Sequence, residues 1–297
     1  MKWRRGRRRS SDLIDRRGYR GGGTRMSGIP MAGLGIPGLL LLGLMLFLGG
    51  NVFDEGSGGG GGLESVLEEL SPPQADPGAN PIPPEADPDR QLVDFVDYVF
   101  SDVQDFWQDT FAQSRKRYGR AELVLFEART QSGCGGATEQ IGPHYCPRDE
   151  RVYIDLDFFR DLRDRYGAPG DFAQAYVIAH EVAHHVQNLL GLNDRVQRAA
   201  PDERNEMSIR LELQADCFAG VWAFTVFERQ QLEEGDLEEG LEAAAAVGDD
   251  RLQKEATGSV NRETWTHGSS AQRVRWFRTG FADGDPNACD TFSAQNL

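Results

Sequence analysis

The spacing of apolar positions predicts a mostly helical domain that begins at about residue 90. Between Gln91 and Tyr118, apolar and aromatic side chains recur every three or four residues, as they do on one face of a long amphipathic helix. We expect this face to pack into the core. The same spacing predicts further helices at Phe158–Tyr166, Asp171–Leu190, Glu203–Arg229, Leu237–Ala256 and Ser270–Phe281.

Two short runs rich in β-branched and aromatic residues, Glu122–Glu127 and Arg151–Asp157, have the composition of strands and are separated by a glycine-containing loop. Few strands among many helices indicate the α+β class, mostly helical with a small sheet. A strand at a sheet edge can pair with the backbone of an extended peptide. We expect Arg151–Asp157 to lie along a substrate cleft in this way.

The first part of the chain has a different pattern. Ile29–Leu48 contains no charged residue over about twenty positions, the length that a helix needs to cross a bilayer core of roughly 30 Å. The stretch that follows is rich in Gly, Pro and acidic residues and is typical of a flexible tether. The sequence therefore predicts a basic tail at 1–28, a transmembrane signal anchor at 29–50, a disordered linker at 51–89 and the folded domain at 90–297.

Charge is distributed unevenly along the chain. Residues 1–28 carry ten Lys and Arg against two Asp, a charge of +8, and because the whole chain is −15, the remainder carries −23. Basic residues beside a membrane span favour the cytoplasmic side, which predicts a cytoplasmic N-terminus and a domain outside the cytoplasm, periplasmic or extracellular. The alternative is a cleaved secretory signal, because the strongly apolar run is only Leu39–Leu48, and either interpretation exports the domain. We expect no nucleic-acid partner, since a basic tail beside a span rarely needs one.

The stretch AHEVAHHVQN, residues 179–188, has the spacing of a metal-binding helix. His180 and His184 are four positions apart, so their side chains lie on one face of a helix and can bind one ion. Glu181 is displaced by about 100° around the axis, so it faces the metal site without being a ligand. A bound zinc ion lowers the pKa of its water toward about 7, and Glu181 takes the proton as that water attacks a peptide carbonyl.

A catalytic zinc site has three protein ligands and one open position. The downstream stretch ELQAD lies in a predicted helix, and its Glu212 is the candidate for the third ligand of one zinc ion per chain. Asp216 is one turn later and can accept the second ring N–H of a liganding histidine. The neighbouring His185 points away from this face and is expected to be structural or exposed, and His144 receives no role from its spacing.

Four cysteines in an exported domain predict disulfides. Cys134 and Cys146 flank a short loop and form the expected first pair, which leaves Cys217 with Cys289. The second bridge would tie the helix that carries the third ligand to the C-terminal region. The alternative is a second zinc site formed by Cys134, His144 and Cys146, although a fourth ligand at a recognisable spacing is missing.

The segments HEVAHHVQNLLG, ELQADCFAGVWA and THGSSAQRVRWF together resemble the bacterial neutral zinc metallopeptidase family over nearly the whole chain. The chain is more distantly similar to thermolysin-like zinc peptidases and to membrane metallopeptidases that process prenylated or stress-damaged membrane proteins. The resemblance implies a zincin-like fold and places a ligand on Glu212 and its supporting carboxylate on Asp216.

The membrane metallopeptidases also have a Thr-His-Pro segment, with an Arg six residues after the His, that lies beside the zinc and stabilises the oxyanion. Here Thr266 and His267 are followed by Gly268 in place of the proline, and Arg273 stands at the matching distance. The resemblance implies an oxyanion role for His267, since a donor is needed where negative charge develops. The alternative is a surface histidine that caps the following helix.

These patterns together predict a membrane-anchored zinc endopeptidase, a hydrolase acting outside the cytoplasm on protein or peptide substrates. The ligands are His180, His184 and Glu212, and Glu181 is the general base. A non-catalytic zinc domain that binds cell-envelope proteins, or a scaffold derived from a peptidase, remains the alternative. The presence of Glu181 argues against both, because a binding module needs the metal ligands but not the base.

Overall fold

The computed structural model describes residues 1–3, 9–18, 80–138 and 142–297, which form an α+β fold with many helices and small sheets. The strands are β1 (Leu13–Asp15), β2 (Glu122–Phe126), β3 (Arg129–Ser132), β4 (Gly135–Thr138), β5 (His144–Cys146) and β6 (Arg151–Asp155). The helices are α1 (Arg90–Gln113), α2 (Leu156–Asp164), α3 (Asp171–Leu189), α4 (Leu192–Gln197), α5 (Pro201–Glu228), α6 (Asp236–Ala246), α7 (Asp249–Thr257) and α8 (Ser270–Asp283). Short 3₁₀ helices occupy Arg262–Thr264 and Pro286–Cys289.

Helix α3 lies at the centre of the helical layer and contacts α1, α5 and α6. Helix α8 packs along α5 at backbone contact. A Cβ atom added to Gly220 would lie 2.1 Å from the carbonyl oxygen of Phe277, and one added to Gly280 would lie 1.9 Å from that of Cys217. Only glycine permits this approach, because a side chain at either position would overlap the facing backbone. The close packing holds α8 against the helix that carries Glu212.

The main sheet has the strand order β1-β2-β6-β5. Strands β1, β2 and β6 are parallel, whereas β5 is antiparallel to β6, and β3 and β4 form a separate hairpin. Strand β6 therefore has a partner on both sides. The expectation that Arg151–Asp157 lies along a cleft as an edge strand is wrong, because both backbone edges of β6 already pair with neighbouring strands.

The predicted helices lie where the structure has helices, but several of their first or last residues differ. Helix α1 ends at Gln113, five residues before the predicted end, and Arg115 adopts a positive φ of 55° that no helix continues through. Helix α2 begins at Leu156 because the side chain of Asp155 accepts the amide of Asp157 as an N-cap. That capping also ends β6 earlier than predicted.

The single helix predicted at Leu237–Ala256 is instead two helices, α6 and α7, divided at Gly248. A Cβ atom on Gly248 would lie 2.4 Å from the backbone nitrogen of Ser270, so the chain here passes directly against the start of α8. The break is a tertiary contact that helical periodicity cannot reveal. It has a functional consequence, since Asp249 becomes the first residue of a new helix.

Three residues near the N-terminus form a strand of the main sheet. Strand β1 adds to the sheet beside β2, with Leu13 paired to Leu123 and Asp15 to Leu125. The described residues 9–18 therefore pack against the domain that is predicted to begin near residue 90.

Among the helices of the described ranges, none combines the length and the apolar character needed to cross a membrane. The predicted span at Ile29–Leu48 and most of the predicted linker at 51–89 lie outside the described residues.

Both predicted disulfides are present, Cys134–Cys146 and Cys217–Cys289. The first uses both sulfurs of the alternative second zinc site, so that alternative is wrong. The second joins α5 to the C-terminal 3₁₀ helix across 72 positions of sequence, a closure worth about 4 kcal/mol in the chain-entropy model.

We expect thiol titration of the denatured, unreduced protein to find no free thiol, and titration after reduction to find four. The reduced sample is the control for reagent access, since all four sulfurs must then react. Four thiols in the unreduced protein would contradict the disulfides.

Candidate metal centre

Helices α3 and α5 bring three ligand-type side chains together, those of His180, His184 and Glu212, which we call the triad. One ligand atom from each lies within 4.8 Å of the others, and all three side chains are buried. The rings of the two histidines are 4.8 Å apart and nearly perpendicular. The sequence-based expectation that the i, i+4 histidines share a helix face, with Glu212 opposite, describes the arrangement that the structure contains.

Local structure fixes where the first helix begins. Gly170 precedes α3 with φ of 116°, a conformation open to glycine, and the carboxylate of Glu239 accepts the backbone amide of Phe172 at the helix N-terminus. On α5, Pro201 occupies the first turn, followed by Asp202, so the helix starts with residues suited to its positive end. Both ligand-bearing helices therefore start at defined positions.

Each triad histidine has its Nδ1 atom paired with a protein oxygen. Nδ1 of His180 is 2.9 Å from the carboxylate of Asp216, and Nδ1 of His184 is 2.8 Å from the amide oxygen of Gln187. An Nδ1–H that donates to these oxygens leaves Nε2 with its lone pair. The Nε2 atoms are 3.2 and 3.5 Å from the two oxygens of Glu212, so both lone pairs face the third ligand.

Gln187 is a site residue that the sequence reasoning missed. Its amide nitrogen donates to the backbone carbonyl of Leu211 at 2.7 Å and to the side-chain oxygen of Gln214 at 3.2 Å, which directs its own oxygen at His184. Gln214 in turn donates to the carbonyl of Cys289, so the C-terminal disulfide region supports this side. The signal was available in the sequence, because Gln187 is one turn after His184 on the same helix face.

Asp216 lies in a fully buried cluster of polar groups. It accepts from Nε and Nη2 of Arg273, both at 2.8 Å, and from the hydroxyl of Tyr176. Arg273 also donates to Tyr176 and to the carbonyl of Val247. Arg273 therefore stabilises the carboxylate that orients His180. The guanidinium of Arg273 is hydrogen-bonded to these partners. The resemblance instead suggests a position beside the oxyanion for the His–Arg segment.

The pKa shifts of the triad residues agree with these hydrogen bonds. Burial by itself lowers the pKa of His180, but hydrogen bonds to Asp216 and Glu212 outweigh it and raise that pKa to about 9. Burial raises the pKa of Glu212, yet the attraction of His184 and the hydrogen bond from His180 bring that pKa well below its ordinary value. In the metal-free protein the triad therefore holds a proton on a histidine beside an ionised carboxylate. A divalent cation would replace that proton.

This exchange predicts a pH-dependent zinc affinity. Because the pKa of His180 is raised to about 9, the metal-free site keeps its proton through neutral pH, and zinc must displace it. Apparent affinity should rise about tenfold per pH unit from pH 7 toward 9 and then level off. The metal-free fold changes in the opposite direction, because stability from protonated His180 is full below pH 6.5 and is lost as pH rises through about 9.

Competition with a chromophoric chelator at each pH measures this affinity, and circular dichroism of the metal-free protein controls for unfolding. An affinity that does not change across this range would contradict the proton exchange.

Glu181 follows the first ligand directly and is 7% exposed. It lies near His144 of β5, whose ring stacks on Tyr153 and whose Nδ1 is 3.2 Å from the carbonyl of Gly142. Burial lowers the pKa of His144, partly offset by that carbonyl and by the negative charge of Glu181. His144, which had no sequence-based role, thus lies at the border of the site.

His267 lies close enough to Glu212 for their charges to interact. Its Nδ1 is 3.2 Å from one oxygen of Asp249 and 2.9 Å from the hydroxyl of Thr266. The other oxygen of Asp249 accepts three successive amides, those of Thr266, His267 and Gly268, at 2.7, 2.7 and 3.0 Å. The sequence analysis did not identify Asp249, because it did not predict the break between α6 and α7 that places Asp249 at the start of a helix.

The contacts of His185 and the acidic groups of the domain bear on two further predictions, the role of this histidine and the number of metal sites. His185 faces the sheet side, with Nδ1 3.0 Å from the hydroxyl of Tyr145 and Nε2 2.6 Å from the carbonyl of Gly119. The described residues hold a second cluster of acidic groups, Asp171, Asp236 and Glu239, but it offers carboxylates alone. Two imidazole nitrogens with one carboxylate, as in the triad, is the donor set that suits zinc. The residues present therefore fit one zinc ion per chain.

Comparison with known proteins assigns the family. The model described as "Putative neutral zinc metallopeptidase" matches residues 1–292. The chain belongs to this family. "Uncharacterized protein YpfJ" of Escherichia coli (strain K12) is 48% identical over 206 residues, 68% of this chain and 72% of that protein. "Uncharacterized protein Rv2575" of Mycobacterium tuberculosis (strain ATCC 25618 / H37Rv) is 49% identical over 191 residues, 61% of this chain and 65% of that protein. No solved structure matches the chain.

Membership in the neutral zinc metallopeptidase family agrees with the resemblance seen in the sequence. The match begins at residue 1 and continues to residue 292, so the family pattern includes the N-terminal residues as well as the helices of the triad. A peptidase family with a zinc-type donor set indicates a zinc-dependent hydrolase. The named relatives carry no assigned activity in their names.

Proposed function

We propose that this protein is a zinc-dependent endopeptidase of zincin type that hydrolyses peptide bonds in proteins or peptides. The observation that carries the proposal is the buried triad with Glu181 beside it: two Nε2 atoms, one carboxylate and an adjacent unliganded carboxylate. A domain that only bound zinc would need the three ligands, but it would not need Glu181. Membership in a zinc metallopeptidase family supports the same conclusion.

Each group of the chain has a role in this reaction. Zinc, when bound, supplies a Lewis acid that polarises the substrate carbonyl and makes water more acidic. Glu181 accepts the proton of the attacking water and delivers it to the leaving amine. His267, held by Asp249, donates toward the oxygen on which negative charge develops. Asp216 and Gln187 keep the ligand histidines in the tautomer that leaves Nε2 free.

The role of His267 can be tested by its removal. We expect His267→Ala to lower kcat by about 10²–10³-fold, the usual loss for one oxyanion donor, with zinc content unchanged. Asp249→Asn should lower kcat less, because the side-chain oxygen of asparagine can still accept hydrogen bonds from the backbone amides that Asp249 binds. Steady-state kinetics with metal analysis measures both variants. An unchanged kcat in His267→Ala would remove this residue from the mechanism; its alternative role as the cap of the following helix is already excluded, because Ser269 is the N-cap of α8.

The substrate most compatible with the sheet is an extended polypeptide. Strand β5 pairs with β6 on one side, and among the described strands none pairs with its other side. Strand β5 contacts α3, the helix of the triad histidines. A peptide adding to β5 would make main-chain hydrogen bonds that do not depend on its side chains. This arrangement favours broad recognition of unfolded segments.

The compartment proposed is outside the cytoplasm, periplasmic or extracellular, with attachment to the membrane through residues 29–48. Two disulfides support it, because such bonds persist in oxidising compartments and are rare in the cytoplasm. The uncharged segment in the sequence supports the attachment.

A search for new chain termini tests the activity. The full protein, loaded with zinc, is incubated with reduced and unfolded proteins, and mass spectrometry identifies termini that were absent at the start. We expect internal cleavage that stops with 1,10-phenanthroline and returns when zinc is restored. Zinc bound at one per chain with no new termini would contradict the endopeptidase and support a zinc-containing binding domain.

A further inference from the structure

Residues 1–3 and 9–18, which we call the basic segment, pack against the domain of the triad. Within the sheet, the amide of Leu123 donates to the carbonyl of Asp12 and the amide of Arg16 donates to the carbonyl of Leu125, both at 2.7 Å. These bonds continue the parallel ladder of β1 and β2 beyond the three paired residues. Leu13–Asp15 of the basic segment is therefore a strand of the main sheet.

A buried ion cluster joins the basic segment to the start of the domain. Arg17 has no exposed side-chain surface and donates to both carboxylate oxygens of Asp15, at 2.9 and 2.8 Å, and to both of Asp87, at 2.9 and 2.7 Å. The side chain of Asp87 is also fully buried. Arg9 makes weaker contacts with the same carboxylates, 3.2 Å from Asp15 and 3.4 Å from Asp87. Removal of Arg17 would therefore leave two buried carboxylates with much less compensating positive charge.

Other charges of the basic segment also find acidic partners in the domain. Arg9 lies 3.3 Å from Asp94 on α1, and the backbone amide of Ser10 donates to Asp97 of the same helix at 2.9 Å. Asp12 accepts from Arg120, just before β2, at 2.7 Å. Arg9 and Arg17, two of the ten basic residues that suggested a topology signal, thus have acidic partners in the domain.

The first residues continue this contact to the triad helix. Trp3 packs at 5.4 Å from Phe95 and 6.0 Å from Tyr98 of α1. The α-amino group of Met1 donates to Asp171, the first residue of α3, and lies near Asp236 of α6. The basic segment therefore contacts α1, α3 and the sheet, and spans the domain.

The ends of the intervening segment are also held side by side. The amide of Gly18 donates to the carbonyl of Asn80 at 3.0 Å, and the amide of Asn80 donates to the carbonyl of Asp15 at 2.8 Å. A Cβ atom on Gly18 would lie 2.6 Å from that Asn80 oxygen, so the contact requires glycine. The two described residues that flank positions 19–79 are therefore hydrogen-bonded to each other.

We propose that the basic segment and residues 80–297 lie on the same side of the membrane to which residues 29–48 attach the protein. The basic segment is then an internal partner of the triad domain and not a tail on the opposite side of the membrane. A chain that crossed the bilayer once between Gly18 and Asn80 would place these two hydrogen-bonded residues about 30 Å apart. The inference rests on the contacts of the described residues and does not depend on the proposed peptidase activity.

Single-cysteine variants of the full chain test the proposal directly. Ser11 and Gln295 are both exposed, and every native cysteine is in a disulfide, so Ser11→Cys and Gln295→Cys each add the one free thiol. Spheroplasts that express either variant are treated with a membrane-impermeant maleimide, and the labelling is divided by that of permeabilised cells. A cytosolic thiol protein in the same cells serves as the control for intact membranes.

We expect the same ratio at both positions, high if the domain is exported and low if it is not. A high ratio at one position with a low ratio at the other would place them on opposite sides and overturn the proposal. If the domain were exported in one host and not in another, the labelling ratios at the two positions would still equal each other in each host.

A second measurement asks whether the basic segment is part of the fold. Arg17→Met removes the main counter-charge of two buried carboxylates and leaves them only the longer contacts with Arg9, so we expect it to lower the Tm of the full protein by about 10 °C. Arg129→Met is the matched control, since Arg129 is exposed on β3, and it should shift the Tm by no more than about 1–2 °C. Equal Tm values for the two variants would show that the basic segment is not packed on the domain.

Discussion

Glu181→Gln is expected to abolish hydrolysis while the protein keeps its zinc. Glu181 is buried beside the triad but is not one of its three members, so its replacement leaves both Nε2 atoms and Glu212 in place. Glutamine has nearly the same shape and cannot accept the proton of the attacking water. A general base contributes about 10²–10⁴-fold, so kcat should fall by at least that amount with KM little changed.

Glu212→Ala is the companion variant, because it removes a ligand and keeps the base. We expect it to lower zinc affinity strongly and to lose activity for that reason. Metal analysis of both purified proteins, together with kcat measured at saturating zinc, separates the two effects. Equal metal loss in the two variants would contradict the roles assigned to Glu181 and Glu212, and full activity of Glu181→Gln would exclude this carboxylate as the base.

The metal ligands could be placed from the sequence because helix geometry alone relates them. Residues four apart on one helix share a face whatever the rest of the fold does, so His180 and His184 needed no tertiary information. Glu212 and Asp216 have the same spacing on a second helix. Only the contact between α3 and α5 had to be assumed, and the family resemblance supplied it.

Residues that act across elements could not be placed in this way. Asp249 reaches His267 because Gly248 breaks a predicted helix where it meets Ser270, and that contact is set by α8 packing on its neighbours. Gln187 was within reach of helix spacing, since it follows His184 by three residues, but its amide is oriented by the carbonyl of Leu211 on α5. The periodicity of a sequence shows which residues share a helix face, whereas the roles of Asp249 and Gln187 depend on which helix faces contact each other.

The basic segment shows the same limit for charge. Ten Lys and Arg in residues 1–28 have the composition of a topology signal, and the sequence does not show which acidic residues they meet. Asp87 lies 70 positions after Arg17, so their pairing is a tertiary contact without a local pattern. Strand β1 has three residues, too few for alternation to be recognised.

The buried cluster behind the triad connects stability with catalysis. Asp216 is held by Arg273 and Tyr176 and in turn orients His180, so a positive charge on α8 determines how a ligand on α3 faces the metal. The glycines at the α5–α8 contact allow this reach, because they bring the two helix backbones together. A change that loosened α8 would therefore affect zinc affinity although no atom of α8 belongs to the triad.

Arg273→Met is expected to cause the largest loss of stability among single substitutions at this site. It leaves the carboxylate of Asp216, which has no exposed surface, without its main counter-charge. Breaking one member of a buried ion pair typically costs about 3–5 kcal/mol, because the remaining charge stays desolvated. Methionine keeps most of the side-chain volume, so the loss reports the charge rather than a cavity.

Urea unfolding of the metal-free protein measures this loss, since zinc would otherwise add its own binding energy to the folded state. Arg278→Met, an exposed position on the same helix, is the matched control and should change the free energy of unfolding by less than about 0.5 kcal/mol. Zinc affinity of Arg273→Met should also fall by about 10–100-fold, because His180 loses a fixed partner for its Nδ1–H. If the two variants unfolded at the same urea concentration, Asp216 would not depend on Arg273 for its charge balance.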